Sequence, residues 1–183
     1  KHHDPRAAAI RAQVLRGIAG NRTPGMHFPG YFLDIQWLEV AGNAARLKIA
    51  DGAHCRDANG EIDVTALAIL ADTALATATR LFVTPGARLA TIHMQIQFTG
   101  ARATGDIGAD AQIIGFSSGT ALRQSMTTAT LTANGKPICY TSGEFALLDA
   151  PSGVTLAPLP WQQETAPAGM PLAESALDAH ERH

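Results

Sequence analysis

The sequence predicts an α+β domain in which one antiparallel β-sheet wraps around one long central α-helix. Two observations predict it. Residues 64–82 are almost all apolar or small and contain neither proline nor glycine, which suits a helix of about five turns that is buried on most of its surface. Around it lie two segments before and four after whose apolar residues tend to recur at every second position, the period of strands with one buried face.

In order along the chain, Pro5 stands near the start of a short amphipathic helix over 5–19, with Ile10, Val14, Leu15 and Ile18 on one face and Gly17 or Gly20 as its stop. Residues 20–30 read as loop. Phe32, Ile35, Trp37, Leu38 and Val40 suggest a first strand over 32–40. Gly42-Asn43 makes a turn, and residues 44–50 give a second strand. A polar loop over 51–60 leads to the long helix, with Asp63 as its N-cap. Pro85-Gly86 is a turn signal. The third strand, 88–99, sets Ile92, Met94, Ile96 and Phe98 against Thr91, His93, Gln95 and Gln97 on strict alternation. Strands over 106–116 and 120–132 follow. Asn134-Gly135 is a two-residue hairpin signal, and 137–148 returns as the last strand. These divide the chain into an N-terminal helix and loop (1–27), one β-rich domain (28–149) and a Pro/Ala-rich tail (150–183). The tail is expected to be extended, with a short helix near 172–182, and its loss is expected to cost little stability.

Composition narrows the function classes. The chain has 183 residues, 46% hydrophobic and 16% charged, with a formal net charge of −2. That allows a sizeable core and offers no basic run for nucleic acid. Cys55 and Cys139 lack metal-ligand spacing and are too few for a disulfide framework, so a cytoplasmic setting is expected. A secretory signal is not visible. The long helix is nearly long enough to cross a bilayer, but Asp72 would lie near mid-membrane at a cost of roughly 2.5–3.5 kcal/mol. No membrane association is expected. No phosphate loop, dinucleotide fingerprint, nucleophile elbow or zinc-spaced cluster occurs in the sequence.

The chemically informative residue is Asp72, one acid in an otherwise apolar helix. Helical spacing puts Thr65, Ala68, Ile69, Leu75, Ala76 and Thr79 on its face. These small or weakly polar neighbours let another chain or a ligand approach closely. Asp72 is therefore either a solvated surface acid or a reactive carboxylate in a tight site.

LADTALATA at 70–78, ATIHMQIQFTGARATGD at 90–106 and GKPICYTSGEFALL at 135–148 together resemble the hotdog-fold acyl-CoA thioesterases of the PaaI-like, phenylacetate-degradation type. The resemblance runs from about Phe28 to Leu148. It implies a hotdog fold, a homodimer or homotetramer with active sites at the subunit interface, and hydrolysis of an acyl-CoA or aroyl-CoA thioester. CoA enters as part of the substrate, and no cofactor or metal is implied. In this likeness Asp72 is the base or nucleophile. The Val64 backbone N–H, helped by Thr65, polarises the thioester carbonyl, and Thr91 orients the attacking water. Ser118, Gly119 and Arg123 fall where the family meets pantetheine or phosphate, although Ser117-Ser118-Gly119 also reads simply as a tight polar turn.

This chain departs from the pattern at the helix start, where Asp63-Val64-Thr65 replaces the usual His-Gly-Gly. The backbone donor survives that change, whereas a histidine is lost and a negative charge gained. A hotdog domain that binds acyl-CoA or a related hydrophobic ligand without turnover is therefore the alternative. His27-Phe28-Pro29-Gly30 is similar to a motif of hotdog hydroxyacyl-ACP dehydratases. Here it precedes the first strand and reads as a loop coincidence. His93 is expected to be solvated or at a subunit contact. Phe28, Phe32, Trp37, Leu67 and Phe82 either line a pocket or fill the core.

Overall fold

The computed structural model describes residues 4–22, 27–83, 86–118, 123–162 and 172–182. Its centre is helix α3 (Val64–Arg80), capped by the Asp63 carboxylate, which accepts from the Thr65 N–H at 2.8 Å. Six strands form one antiparallel sheet around it: β1 (Gln36–Ala41), β2 (Ala44–Ile49), β3 (Ala87–Phe98), β4 (Ile107–Ser118), β5 (Arg123–Ala133) and β6 (Lys136–Asp149). Their order across the sheet is β1-β2-β4-β5-β6-β3, so β1 and β3 are the edges. Leu70, Ala71, Ala74, Leu75 and Ala78 of α3 are fully buried and pack with Leu47, Ile107, Leu131, Cys139 and Phe145 of the sheet. This single core is why an almost wholly apolar helix is stable here.

The first forty residues differ from the sequence expectation. Helix α1 (Pro5–Asn21) continues through both glycines that were to stop it. Gly17 and Gly20 serve close packing instead: a Cβ on Gly20 would stand 2.5 Å from the Tyr31 ring, and one on Gly17 2.8 Å from Phe28. The expected loop 20–30 and the start of the first strand contain helix α2 (Phe28–Phe32), with a proline in its first turn. Strand β1 accordingly begins at Gln36. The Gln13 amide donates to the Phe32 carbonyl at 2.9 Å and ties α1 to α2.

Strand β3 also departs from strict alternation. A β-bulge lies between Thr91 and His93: Thr91 pairs with Phe145, His93 with Glu144, and Ile92 has no opposite residue. Leu89 and Thr91 thus share a face with Met94 and Ile96, while Ile92 is turned out at 50% exposure. Phe98, expected on the buried side, is also exposed at the sheet edge. The alternation also slips at Leu38 of β1, Ile114 of β4 and Ile138 of β6, each passed over by a register shift, and the β5–β6 hairpin turns at Asn134-Gly135 with positive φ at both residues, 48° and 75°.

The tail runs without regular structure from 150 to 159, then forms single 3-10 turns at Pro160–Gln162 and Glu174–Ala176 in place of a helix over 172–182. Its described parts are seated on the domain. Trp161 packs on Trp37 with ring centroids 6.0 Å apart, and Arg22 of the α1 C-cap pairs with Glu181. Gly86 has φ +92°, as a turn there requires; Pro85 lies outside the described residues. Among the described residues no helix is long and apolar enough to cross a membrane.

Candidate active site

One face of α3 is left uncovered by the sheet, and a groove of about 560 Å³ runs along it. Thr65, Ala68, Ile69, Asp72, Thr73, Ala76, Thr77 and Arg80 form its floor, which reproduces most of the face expected around Asp72. Leu75 and Thr79 do not belong to it. They are fully buried, and Thr79 meets Ser125 of β5 at 3.0 Å, because the sheet covers that flank of the helix.

Asp72 is half-buried in the floor. The Thr91 hydroxyl donates to its Oδ1 at 2.9 Å, which orients the carboxylate and leaves Oδ2 free of that bond. The contact depends on the β3 bulge. The bulge turns Thr91 toward the helix together with the apolar residues that follow it.

The helix start stands apart from this pair. Thr65 lines the groove, but its N–H is taken by the Asp63 cap. The Val64 N–H, at the first helical position, has no acceptor among the described residues. Val64 and Asp72 are eight residues apart on one rigid helix, about 12 Å along its axis. A donor must lie about 3 Å from a carbonyl oxygen, and an attacking group about 3–3.5 Å from its carbon. The two groups of one chain therefore do not converge on one carbonyl.

Arg123 does not line the groove, and its guanidinium is paired with Asp149. Ser118 pairs through the backbone with Arg123, and Gly119 lies outside the described residues. His93 is exposed on the outward face of β3. Of the aromatic candidates only Trp37 reaches the groove. Phe28 and Phe32 stack on each other at 5.6 Å, Leu67 is core and Phe82 is exposed.

Sequence reasoning missed several lining groups. His27 and Pro29 stand in the wall, so the segment read as a loop coincidence borders the site. Arg80 closes the floor two turns beyond Asp72, and burial lowers its pKa. Leu159, Pro160 and Trp161 arrive from the tail, for which no local periodicity gave a signal.

The arrangement offers an oriented carboxylate in a largely apolar groove. Both cysteines are buried, and burial pushes their thiols up, so neither is poised as a thiolate nucleophile. Among the described residues no group of three His, Cys, Asp or Glu side chains could hold a metal ion.

No protein-family model matches the chain, and no curated protein matches it. Solved structures do. The BH2602 protein of Bacillus halodurans, determined with CoA, superposes with a TM-score of 0.71 at 13% identity, covering 82% of this chain and 99% of its own. A variant of the thioesterase PA1618 of Pseudomonas aeruginosa gives 0.61 at 15% identity, over 74% of this chain and 94% of that one. A variant of the phenylacetic acid degradation protein PaaI of Thermus thermophilus gives 0.56 at 18% identity, over 64% and 96%. These likenesses show the fold: the chain is a hotdog domain, six antiparallel strands around one helix.

Proposed function

We propose that this hotdog domain hydrolyses an acyl-CoA or aroyl-CoA thioester to the free acid and CoA, with Asp72 as general base or nucleophile. The observation that carries the reading is the Asp72 carboxylate, oriented by Thr91 at 2.9 Å in a largely apolar groove whose floor also holds Arg80, eight residues further along the helix. The fold shared with proteins described as thioesterases, and with one determined bound to CoA, supports it.

In the base route Oδ2 takes a proton from a water that adds to the thioester carbon. In the nucleophile route Oδ2 adds directly, and water later cleaves the resulting anhydride. Both routes develop negative charge on the carbonyl oxygen and release CoA as its thiolate. The Val64 N–H is the donor for that oxygen. Because Val64 and Asp72 of one chain do not converge, the site is composite, with the carboxylate from one copy and the helix-start donor from a second. A homodimer, alone or within a tetramer, is the assembly this requires. Strand β3 offers an edge for it, with Ile92 and Phe98 exposed. Ser118, Gly119 and Arg123 are proposed to contact the CoA portion, with Arg123 exchanging Asp149 for a phosphate.

The test is CoA-thiol release across short, long and aromatic acyl-CoA esters by the wild type and by Asp72→Asn. The amide keeps the size and the hydrogen bond from Thr91 but loses the basic oxygen. General-base participation is worth about 10²–10⁴-fold, so kcat should fall by that range with the melting temperature little changed. Undiminished turnover by the variant would overturn the assignment. Tight binding of CoA esters with no wild-type turnover would establish a binding domain instead.

A further inference from the structure

We propose that the tail residues Leu159–Trp161 form one wall of the acyl pocket, and that Trp161 against Trp37 limits the length of the acyl chain. The proposal rests on the groove being the thioester site.

Trp37 is fixed from behind. Its indole Nε1 donates to Thr77 Oγ1 at 3.2 Å, and that hydroxyl donates to the Thr73 carbonyl at 2.7 Å. Trp161 then meets it at 6.0 Å with the rings inclined by 40°. At that separation the rings touch and leave no slot between them for a third group. Trp161 sits in a turn that closes on itself, the Gln162 N–H donating to the Leu159 carbonyl at 2.9 Å. The wall is therefore two large apolar side chains, one pinned to the helix and the other carried by a locally folded segment. Both line the same groove as Asp72.

The position of the wall sets a length. Thr77, which anchors Trp37, lies five residues beyond Asp72, about 7.5 Å along the helix axis. An extended zigzag of carbon atoms with bonds of about 1.5 Å covers that distance in roughly six carbons. An acyl group whose carbonyl is beside Asp72 thus ends on the indoles at about that length, and a chain twice as long has to displace Trp161.

The chain contains two tryptophans, and both are in this contact. Tryptophan emission, excited selectively over that of Tyr31 and Tyr140, therefore reports on the wall alone. S-hexyl-CoA and S-dodecyl-CoA, thioethers that cannot be hydrolysed, are titrated into the full-length protein while tryptophan emission is followed. In the wild type the hexyl thioether should shift the emission, and dodecyl should bind no tighter than hexyl. Trp161→Ala should lower the ratio of the dodecyl to the hexyl Kd at least tenfold, whereas Trp161→Phe should keep it within about threefold. An unchanged ratio in Trp161→Ala, or emission unmoved by either thioether while CoA esters are still turned over, overturns the proposal. A ratio that shifts as expected in a protein that hydrolyses none of the corresponding esters keeps the wall and rejects the hydrolysis reading.

Discussion

The oxyanion donor is a backbone group, so no side-chain truncation tests it. Proline does, because Val64 occupies the first position of α3. There the N–H has no helical acceptor to lose and proline's φ is already suitable. The local structure accepts the change. Asp63 has ψ 141°, in the extended region a residue before proline adopts, and Val64 is 57% exposed, which leaves room for the ring. The Asp63 cap on Thr65 and the bond from the Leu67 N–H to the Asp63 carbonyl do not involve the lost proton. Val64→Pro should therefore change stability by no more than about 1 kcal/mol, while losing one oxyanion donor costs about 10²–10³ in kcat. CoA-thiol release and a thermal melt measure the two effects separately. Co-expressing Val64→Pro with Asp72→Asn then tests the composite site. In a two-fold symmetric dimer, random pairing makes half the dimers mixed. Each mixed dimer has one site with both groups intact and one with neither, so about one quarter of wild-type activity should return. A well-folded Val64→Pro variant with kcat within about threefold of wild type refutes the donor assignment. Two inactive variants that show no recovery together refute the sharing of the site between copies.

Two further outcomes are expected. Thr91→Val removes the hydroxyl that donates to Asp72; a hydrogen bond to a charged group is worth about 1.5–3 kcal/mol, so kcat should fall roughly tenfold to a hundredfold, less than in Asp72→Asn, and Thr91→Ser should restore most of it. The docking of 172–182 on α1 should depend on pH, because Arg22 holds the Glu181 carboxyl down to about 2, against an ordinary 4.5. A carboxyl depressed in the docked state favours docking above its free pKa, and the contribution is lost as pH falls from about 4.5 toward 2. Limited acid proteolysis of this segment should rise across that window and be insensitive to pH above it; because the pair is exposed, added salt should weaken the docking.

The sequence made the centre of this molecule legible and its margins less so. Helix α3 could be read because nineteen residues without a breaker, headed by an acid, have few other physical solutions. Asp72 stood out for the same reason, as a charge where burial is expected. Thr91 was different: strict alternation put it opposite Met94 and Ile96, and only the family resemblance brought it to Asp72. The bulge that reconciles the two consists of one unpaired residue, Ile92, which nothing in local composition marks. Helix α2 was hidden by His27-Phe28-Pro29-Gly30, whose proline and glycine signal a loop although proline suits a first helical turn. Trp161 escaped because its partner, Trp37, is more than 120 residues away, beyond any periodic signal.

The place of β3 in the sheet bears on how the chain is made. Its neighbour is β6 and no earlier strand, and 37 residues lie between Phe98 and Lys136. At about 5–20 residues per second, a ribosome takes roughly 2–7 s to bridge that interval. During it, Met94, Ile96 and Phe98 belong to a strand with no ladder to join. Thr91 has no Phe145 to fix its register, so nothing holds its hydroxyl against Asp72. The carboxylate and its partner, close neighbours in sequence, are among the last pieces to come together, and a chain arrested before Lys136 carries an unpaired apolar strand open to aggregation.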